Sequence, residues 1–265
     1  VISCSFSVFR ILSFCHLSFN SSLRENNMGD TAGDGLNVKN AGWSFKDDVS
    51  KKFDQHVTKS VPFYPEGHDL VCQLSDYFVK HDSICYELGC STGTLIKKLA
   101  DRNSQKSGVR YVGIDIEPDM AALANKKKEP YPNVQIVADD ILQYDFEESD
   151  FIVAYYTIQF VRPSERQQLF DKIYNSLKWG GAFLLFEKVR SCDARFQDIM
   201  TTMYNEYKLN NGYTPEEIMG KSKSLIGILE PFSTQGNLDM LKRAGFVDFM
   251  TVMKYVCFEG FLAIK

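Results

Sequence analysis

Hydrophobic positions early in the chain recur with helical spacing. Phe45, Val49, Phe53 and Val57 fall at every fourth place, near the 3.6-residue repeat that lays an apolar stripe along one helix face. Ser60-Val61-Pro62-Phe63-Tyr64-Pro65 interrupts that stripe, because proline lacks an amide donor and restricts the residue before it. A second helix is expected from Leu70 to Phe78. Beyond it the pattern becomes short unbroken apolar runs separated by amphipathic stretches. The runs are Ile84 to Leu88, Tyr111 to Asp115, Val134 to Val137, Phe151 to Tyr156 and Ala182 to Phe186. Helices are expected after Gly93, from Met120 to Lys128 and after Pro163, where Ser164 and Gln167 have the spacing of a capping box. Strands that are apolar throughout and alternate with helices predict an α/β fold, a mostly parallel sheet covered on both faces.

Residues 190–235 break the alternation. They hold a helical stretch from Phe196 to Leu209, an Asn210-Asn211-Gly212 turn and a helix from Pro215, and are expected to form a helical cap over a cleft. A helix from Leu238 to Ala244 follows, then two β runs, Phe246 to Phe258 and Phe261 to Ile264. Only Glu259-Gly260 separates those runs, so they are expected to pair as an antiparallel hairpin around that turn. The expected organisation is a single domain over residues 43–265, preceded by a disordered or leader segment over residues 1–42. Residues 1–27 are rich in Ser, Phe and Leu, with Arg10 and Arg24 and no acid before Glu25, which loosely fits a transit peptide. Met28 opens a polar, Gly-rich segment, and that favours reading residues 1–27 as extra to the fold. No apolar run reaches the ~18 residues of a membrane span.

The strongest chemical signal is Tyr86-Glu87-Leu88-Gly89-Cys90-Ser91-Thr92-Gly93, a strand running through a tight glycine turn into a helix. Such a turn lets a ligand approach backbone N–H groups closely. The Gly-x-Ser-x-Gly spacing also occurs at the nucleophile elbow of hydrolases. Glu87 before the turn and Asp115 at the end of the next strand favour a nucleoside site instead. Asp115 lies near the ~20-residue offset at which an acid grips ribose hydroxyls in nucleotide-binding βαβ units. Net charge is −4, so no global basic field draws the chain to nucleic acid, which is not expected as a direct ligand. Seven scattered cysteines without a C-x-x-C pair point to a reduced, cytoplasmic setting. Four histidines lack ligand spacing, so no metal is expected.

Further blocks carry a family resemblance. Glu87-Leu88-Gly89-Cys90-Ser91, Asp115, Asp140-Ile141, Thr157-Ile158-Gln159-Phe160, Pro163-Ser164-Glu165-Arg166-Gln167, Gly180-Gly181-Ala182, Glu187-Lys188, Asn211-Gly212-Tyr213 and Ser60-Val61-Pro62-Phe63-Tyr64 all resemble the carboxy-S-adenosylmethionine synthases. The similarity runs from about Phe53 to Lys265. Those enzymes act in wobble-uridine tRNA modification on the class I methyltransferase (Rossmann-like) fold: a seven-stranded, mostly parallel sheet ending in an antiparallel hairpin. The resemblance implies S-adenosyl-L-methionine as cofactor and a homodimer. It implies that Tyr64, Gly89, Cys90 and Ser91, with Gly93 closing the turn, lie at the methionine end of the cofactor. Asp115 and Ile116 would hold the ribose, and Asp140 and Ile141 the adenine, with Asp139 as the competitor of Asp140.

Two positions depart from the family. Tyr155 stands where asparagine is usual. Ser222 stands where an arginine pairs with the extra carboxylate of the modified cofactor, and serine cannot offer that bidentate contact. Lys221 or Lys223 could supply only a point charge. The expected activity is therefore methyl transfer from S-adenosylmethionine to a small or modest-sized acceptor. The alternatives are carboxy-S-adenosylmethionine synthesis from S-adenosylmethionine and prephenate, and a degenerate nucleoside-binding scaffold. Candidate catalytic residues are Tyr64, Tyr155 and Tyr156, with the two neighbours in the fourth strand facing opposite sides of the sheet if they only pack. His56, in an amphipathic N-terminal helix, is a further candidate near the sulfonium, but the helix favours reading it as a surface residue.

Overall fold

The computed structural model describes residues 30–33, 37–38, 41–44, 48–127 and 130–265. The leader expected over residues 1–27 lies outside the described residues, as do Phe45 and Lys128. Asp30–Thr31 pairs antiparallel with Asn37–Val38. Ala32 and Trp43 pack on Leu225 and Ile228, and Ala41 and Trp43 donate amide hydrogen bonds to the carbonyls of Lys223 and Ser224.

Helices α1 (Asp48–Ser60) and α2 (Tyr64–Phe78) lead into the alternating core. This comprises β1 (Ile84–Leu88), α3 (Thr94–Arg102), β2 (Arg110–Asp115), α4 (Pro118–Lys127), β3 (Val134–Ala138), β4 (Ser149–Tyr155), a 3₁₀ turn (Ile158–Phe160), α5 (Pro163–Ser176) and β5 (Leu177–Lys188). The cap helices α6 (Ala194–Asn210) and α7 (Pro215–Ser224) follow, then α8 (Thr234–Ala244), β6 (Asp248–Tyr255) and β7 (Phe258–Ile264). The sheet order is β3-β2-β1-β4-β5-β7-β6. Strands β1 to β5 are parallel, and β7 is antiparallel to both neighbours.

The period-2 alternation of the strands divides the core into two layers. Cys85, Phe151, Val153 and Leu184 face α2, α3 and α4 through Val71, Leu95, Leu99 and Ala121. Tyr86, Ile152, Ala154 and Leu185 face α5 and α8 through Leu169, Ile173 and Leu241. The strand order reverses between β1 and β4, and a crevice beyond the carboxyl ends of strands at such a switch point is where open α/β sheets bind ligands.

Three local expectations are corrected. Helix α5 starts at Pro163 with Arg162 as N-cap and no side-chain cap; Gln167 instead donates to Asp171 and to the Met240 carbonyl. The capping box is found at α7, where Thr214 and Glu217 satisfy each other's backbone amides. The terminal hairpin turns at Val256-Cys257, not Glu259-Gly260. Tyr155 and Tyr156 also share one layer of the core, because Tyr156 leaves the strand with φ 59° and swings to its neighbour's side.

Candidate active site

Residues from β1, β2, β4, α1, α2 and the cap line one cavity of about 1100 Å³ at the switch point. Tyr64, Gly89, Cys90, Ser91, Asp115, Ile116, Asp140, Ile141, Tyr155 and Tyr156 all line it. Gly93 stands behind the wall as the N-cap of α3, at φ 71°. Asp139 is absent from the lining; its carboxylate accepts the Asp140 amide, while Asp140 accepts the amide of Leu142.

The glycine turn works differently from the sequence expectation. Its amides are used inside the protein: Gly89 and Cys90 donate to the Ile114 carbonyl (2.8 and 3.0 Å) and Gly93 to the Cys90 carbonyl (2.8 Å). What the turn provides is close approach. Gly89 sits at φ 72°, and a Cβ there would collide with the Thr157 side chain. Ser91, at φ 50°, aims its amide at Asp115. Both Asp115 oxygens are held, Oδ2 by Ser91 N–H at 2.7 Å and Oδ1 by Glu117 N–H at 2.9 Å. Burial raises the Asp115 carboxyl above its ordinary value, opposed by these two amides. Each oxygen thus keeps capacity to accept a further hydrogen bond.

Glu87, behind the turn, is buried and its carboxyl is raised well above the usual range by burial; Oε2 has no hydrogen-bond partner. Ile116 is an apolar side chain left 65% exposed at the edge of the cavity. In the same cavity wall, the Tyr64, His68, Tyr155 and Tyr156 rings form a cluster with centroids 4.6 to 6.2 Å apart. Burial raises the three phenols and lowers His68 to about 4, so at neutral pH all four rings are uncharged. The Tyr155 hydroxyl donates to the Tyr64 carbonyl at 2.7 Å. Burial also keeps the Cys90 thiol protonated.

His56 is buried, correcting its reading as a surface residue. Its Nε2 lies 2.6 Å from Lys221 Nζ and its Nδ1 3.3 Å from the Tyr213 hydroxyl, and its ring stacks on Trp43. The Ser222 hydroxyl donates to the Ile218 carbonyl at 2.8 Å and shares the cavity wall with Lys188 and Lys208. Sequence reasoning missed both lysines. The signal was the i, i+4 spacing of Tyr204 and Lys208, which puts them on one face of α6. Among the described residues no group of three His, Cys, Asp or Glu side chains could hold a metal ion, and no helix is long and apolar enough to cross a membrane.

Glu187 lies buried at the end of β5. Burial lifts its carboxyl from 4.5 to about 8, against the pull of the Arg166 guanidinium and the Gln159 and Ile158 amides. The folded chain therefore keeps a proton that the unfolded chain releases earlier. The stability this contributes is complete below about 4.5 and is lost as pH rises through about 8. Melting temperature is expected to fall across that window, and Glu187→Gln to flatten part of the fall, since the raised carboxyls of Glu87 and Asp115 act in the same direction. A variant profile parallel to wild type would clear Glu187 of this role.

A strand-end acid beyond a glycine turn, in this sheet order, defines the class I S-adenosylmethionine-dependent methyltransferases, and the comparisons agree. The methyltransferase domain family matches residues 86–181. The fold is similar to human N-acetylserotonin methyltransferase in complex with S-adenosylmethionine (TM-score 0.55, 18% identity, 82% of this chain and 56% of that chain). It is also similar to the S-adenosylmethionine-dependent methyltransferase SibL (TM-score 0.55, 13% identity, 83% and 60%). The chain is an enzyme of this class, with S-adenosylmethionine as its cofactor. It is 35% identical over 231 residues to the carboxy-S-adenosyl-L-methionine synthase of Staphylococcus epidermidis, covering 87% of this chain and all of the relative. It is 36% identical over 224 residues to that of Nautilia profundicola, covering 84% and 94%. The chain belongs to the carboxy-S-adenosyl-L-methionine synthase family.

Proposed function

We propose that the enzyme transfers a methyl group from S-adenosylmethionine to a small acceptor enclosed beneath the cap. The observation that carries this reading is one cavity bounded by Asp115 and the Gly89–Gly93 turn on one side and by α1 and the cap on the other. Its volume of about 1100 Å³ exceeds the roughly 300–1,000 Å³ of a usual single-ligand cleft, which supports room for a cofactor and a second small molecule.

The residues fit the cofactor. Asp115 has lone pairs left for two ribose hydroxyls. Ile116 and Ile141 offer apolar faces to adenine, with Asp140 at its edge. Gly89, Cys90, Ser91 and Tyr64 border the space for the methionine end, and the orphaned Glu87 Oε2 fits its ammonium group. When bound, S-adenosylmethionine supplies a methyl group activated by a sulfonium. Tyr64, Tyr155 and Tyr156 present ring faces to such a cation, an attraction worth about 0.5–2 kcal/mol. The phenols stay protonated, so these side chains position and desolvate and do not act as bases. Holding donor and acceptor in line accounts for most of the acceleration such a site can provide.

A second reading, synthesis of carboxy-S-adenosylmethionine from S-adenosylmethionine and prephenate, is favoured by the names of the full-length relatives and opposed by Ser222. Mass spectrometry of reaction mixtures separates the two. Methyl transfer leaves S-adenosylhomocysteine and a methylated acceptor; the second reading yields an adenosyl product heavier by one carboxyl group when prephenate is supplied. Failure to bind S-adenosylmethionine in calorimetry defeats both. We also propose a single domain over residues 43–265, a cytoplasmic setting from the scattered cysteines, a homodimer by family resemblance, and no direct nucleic-acid ligand, consistent with the net charge of −4. Sedimentation equilibrium checks the dimer.

A further inference from the structure

Lys188, at the end of β5, and Lys208, in the last turn of α6, both place their ammonium groups over the ring of Tyr204, 4.6 and 4.3 Å from its centroid. The Tyr204 hydroxyl donates to the Ser60 carbonyl at 2.9 Å, so the ring is a fixed platform between the cap and α1. Both lysines line the main cavity, and both line a small side chamber of about 80 Å³ that opens beside it. Ser222 borders the two spaces as well.

Among the described residues neither ammonium has a carboxylate partner. Ion pairs between described residues engage Lys98, Arg102, Arg110, Lys127, Lys178 and Lys254, among others, and not these two. The charged or titratable groups that act on them are each other, Arg190 and the Cys257 thiol. Lys208 is only 4% exposed. A ring face offsets only part of the several kcal/mol that burying an ammonium costs. Arg190, from the segment after β5, adds a further positive charge to the cavity wall. Lys221, adjacent to Ser222 in sequence, instead meets His56 Nε2 and Ser60 Oγ.

We propose that Lys188 and Lys208, set over Tyr204, form a subsite for a carboxylate group of the molecule that shares the cavity with the cofactor. It stands in place of the arginine that Ser222 replaces, and it rests on the reading of the cavity as an S-adenosylmethionine site with room for a second ligand. The carboxylate belongs either to a separate anionic substrate or to a carboxylated form of the cofactor itself. Both present the same two oxygens to the same two ammonium groups, as charge-assisted hydrogen bonds.

Calorimetry on the full chain tests the assignment. S-adenosylmethionine is titrated first into wild type, Lys188→Met and Lys208→Met; its affinity is expected to agree within about twofold. Phenylpyruvate and malonate are then titrated into protein saturated with S-adenosylhomocysteine, and carboxy-S-adenosylmethionine into the ligand-free protein. Each methionine variant is expected to weaken carboxylate binding by roughly tenfold or more, while Lys208→Arg retains most of it. Sensitivity in the first arm alone assigns the carboxylate to a separate substrate; sensitivity in the second alone assigns it to the cofactor. Because a buried unpaired charge is removed, Lys208→Met is expected to melt no lower than wild type; a purely structural lysine would melt lower and leave carboxylate affinity unchanged. Carboxylate binding that ignores both substitutions, or wild type that binds none of the three anions, overturns the subsite. Loss of S-adenosylmethionine binding by wild type overturns the functional reading instead.

Discussion

Asp115→Ala is expected to lower affinity for S-adenosylmethionine by about 100- to 1,000-fold, equivalent to roughly 3–4 kcal/mol. The carboxylate does two things at once. It organises the turn by accepting the amides of Ser91 and Glu117, at 2.7 and 2.9 Å, and it leaves a lone pair on each oxygen for the ribose. Hydrogen bonds to a charged group contribute about 1.5–3 kcal/mol each, and a buried donor left without its acceptor costs about 1–3 kcal/mol. Removing the side chain loses the ribose contacts and frees Ser91, a non-glycine residue at φ 50°, from the bond that holds it there. Asp115→Asn discriminates between charge and shape. An amide matches the carboxylate in size, but its NH₂ must face one of two N–H donors, so most of the loss should persist. Calorimetry reads both variants. Unchanged affinity in Asp115→Ala would remove the ribose from this end of the sheet, and unchanged affinity in Asp115→Asn would show that charge is irrelevant there.

Where the sequence was legible, the cause is local and repetitive. Strands β1 to β5 announce themselves because parallel strands covered on both faces must be apolar throughout. Asp115 announces itself because an acid ending such a run has no place in the core. The parts that were not legible depend on contacts between residues distant in sequence. Glu259-Gly260 reads as a turn, yet Glu259 is a buried member of β7 that accepts from Thr251 and Lys254, at 2.9 and 3.0 Å. Gly260 lacks a side chain because the Phe186 ring occupies that space. The true turn, Val256-Cys257, puts a β-branched residue at φ 50°, against ordinary turn chemistry. Ser164 and Gln167 have capping-box spacing, but Pro163 at the first helical position makes Arg162 the N-cap, and Gln167 bonds across to α8. His56 and Lys208 look like surface residues on amphipathic helices. His56 is buried because Trp43 and the cap residues Tyr213 and Lys221 cover its side of α1, and Lys208 because its side of α6 turns inward over Tyr204, beside Lys188 and Cys257.

The aromatic cluster shows the same dependence on distant contacts, and Tyr155→Asn is expected to be the most destabilising single change at the site, by about 3–5 kcal/mol. Tyr155 packs against Tyr64, His68, Tyr156 and Phe186, with centroids 4.6 to 5.0 Å away, and its hydroxyl ties β4 to the first turn of α2. Asparagine, the residue that the family resemblance leads one to expect here, would leave a void and a buried amide among rings that cannot satisfy it. Tyr155→Phe keeps the ring and loses one hydrogen bond, for about 1 kcal/mol. Gly67 of α2 is the partner of this phenol: a Cβ on Gly67 would collide with the Tyr155 hydroxyl. Gly67→Ala should therefore destabilise wild type, yet in the Tyr155→Asn background it should recover about 1 kcal/mol, the ordinary preference of a helix for alanine over glycine. Urea denaturation of the four proteins in that cycle measures the coupling. Additive effects, or a Tyr155→Asn variant within about 1 kcal/mol of wild type, would mean that the ring cluster does not hold α2 against the sheet, and the space assigned to the sulfonium would then lack a rigid wall.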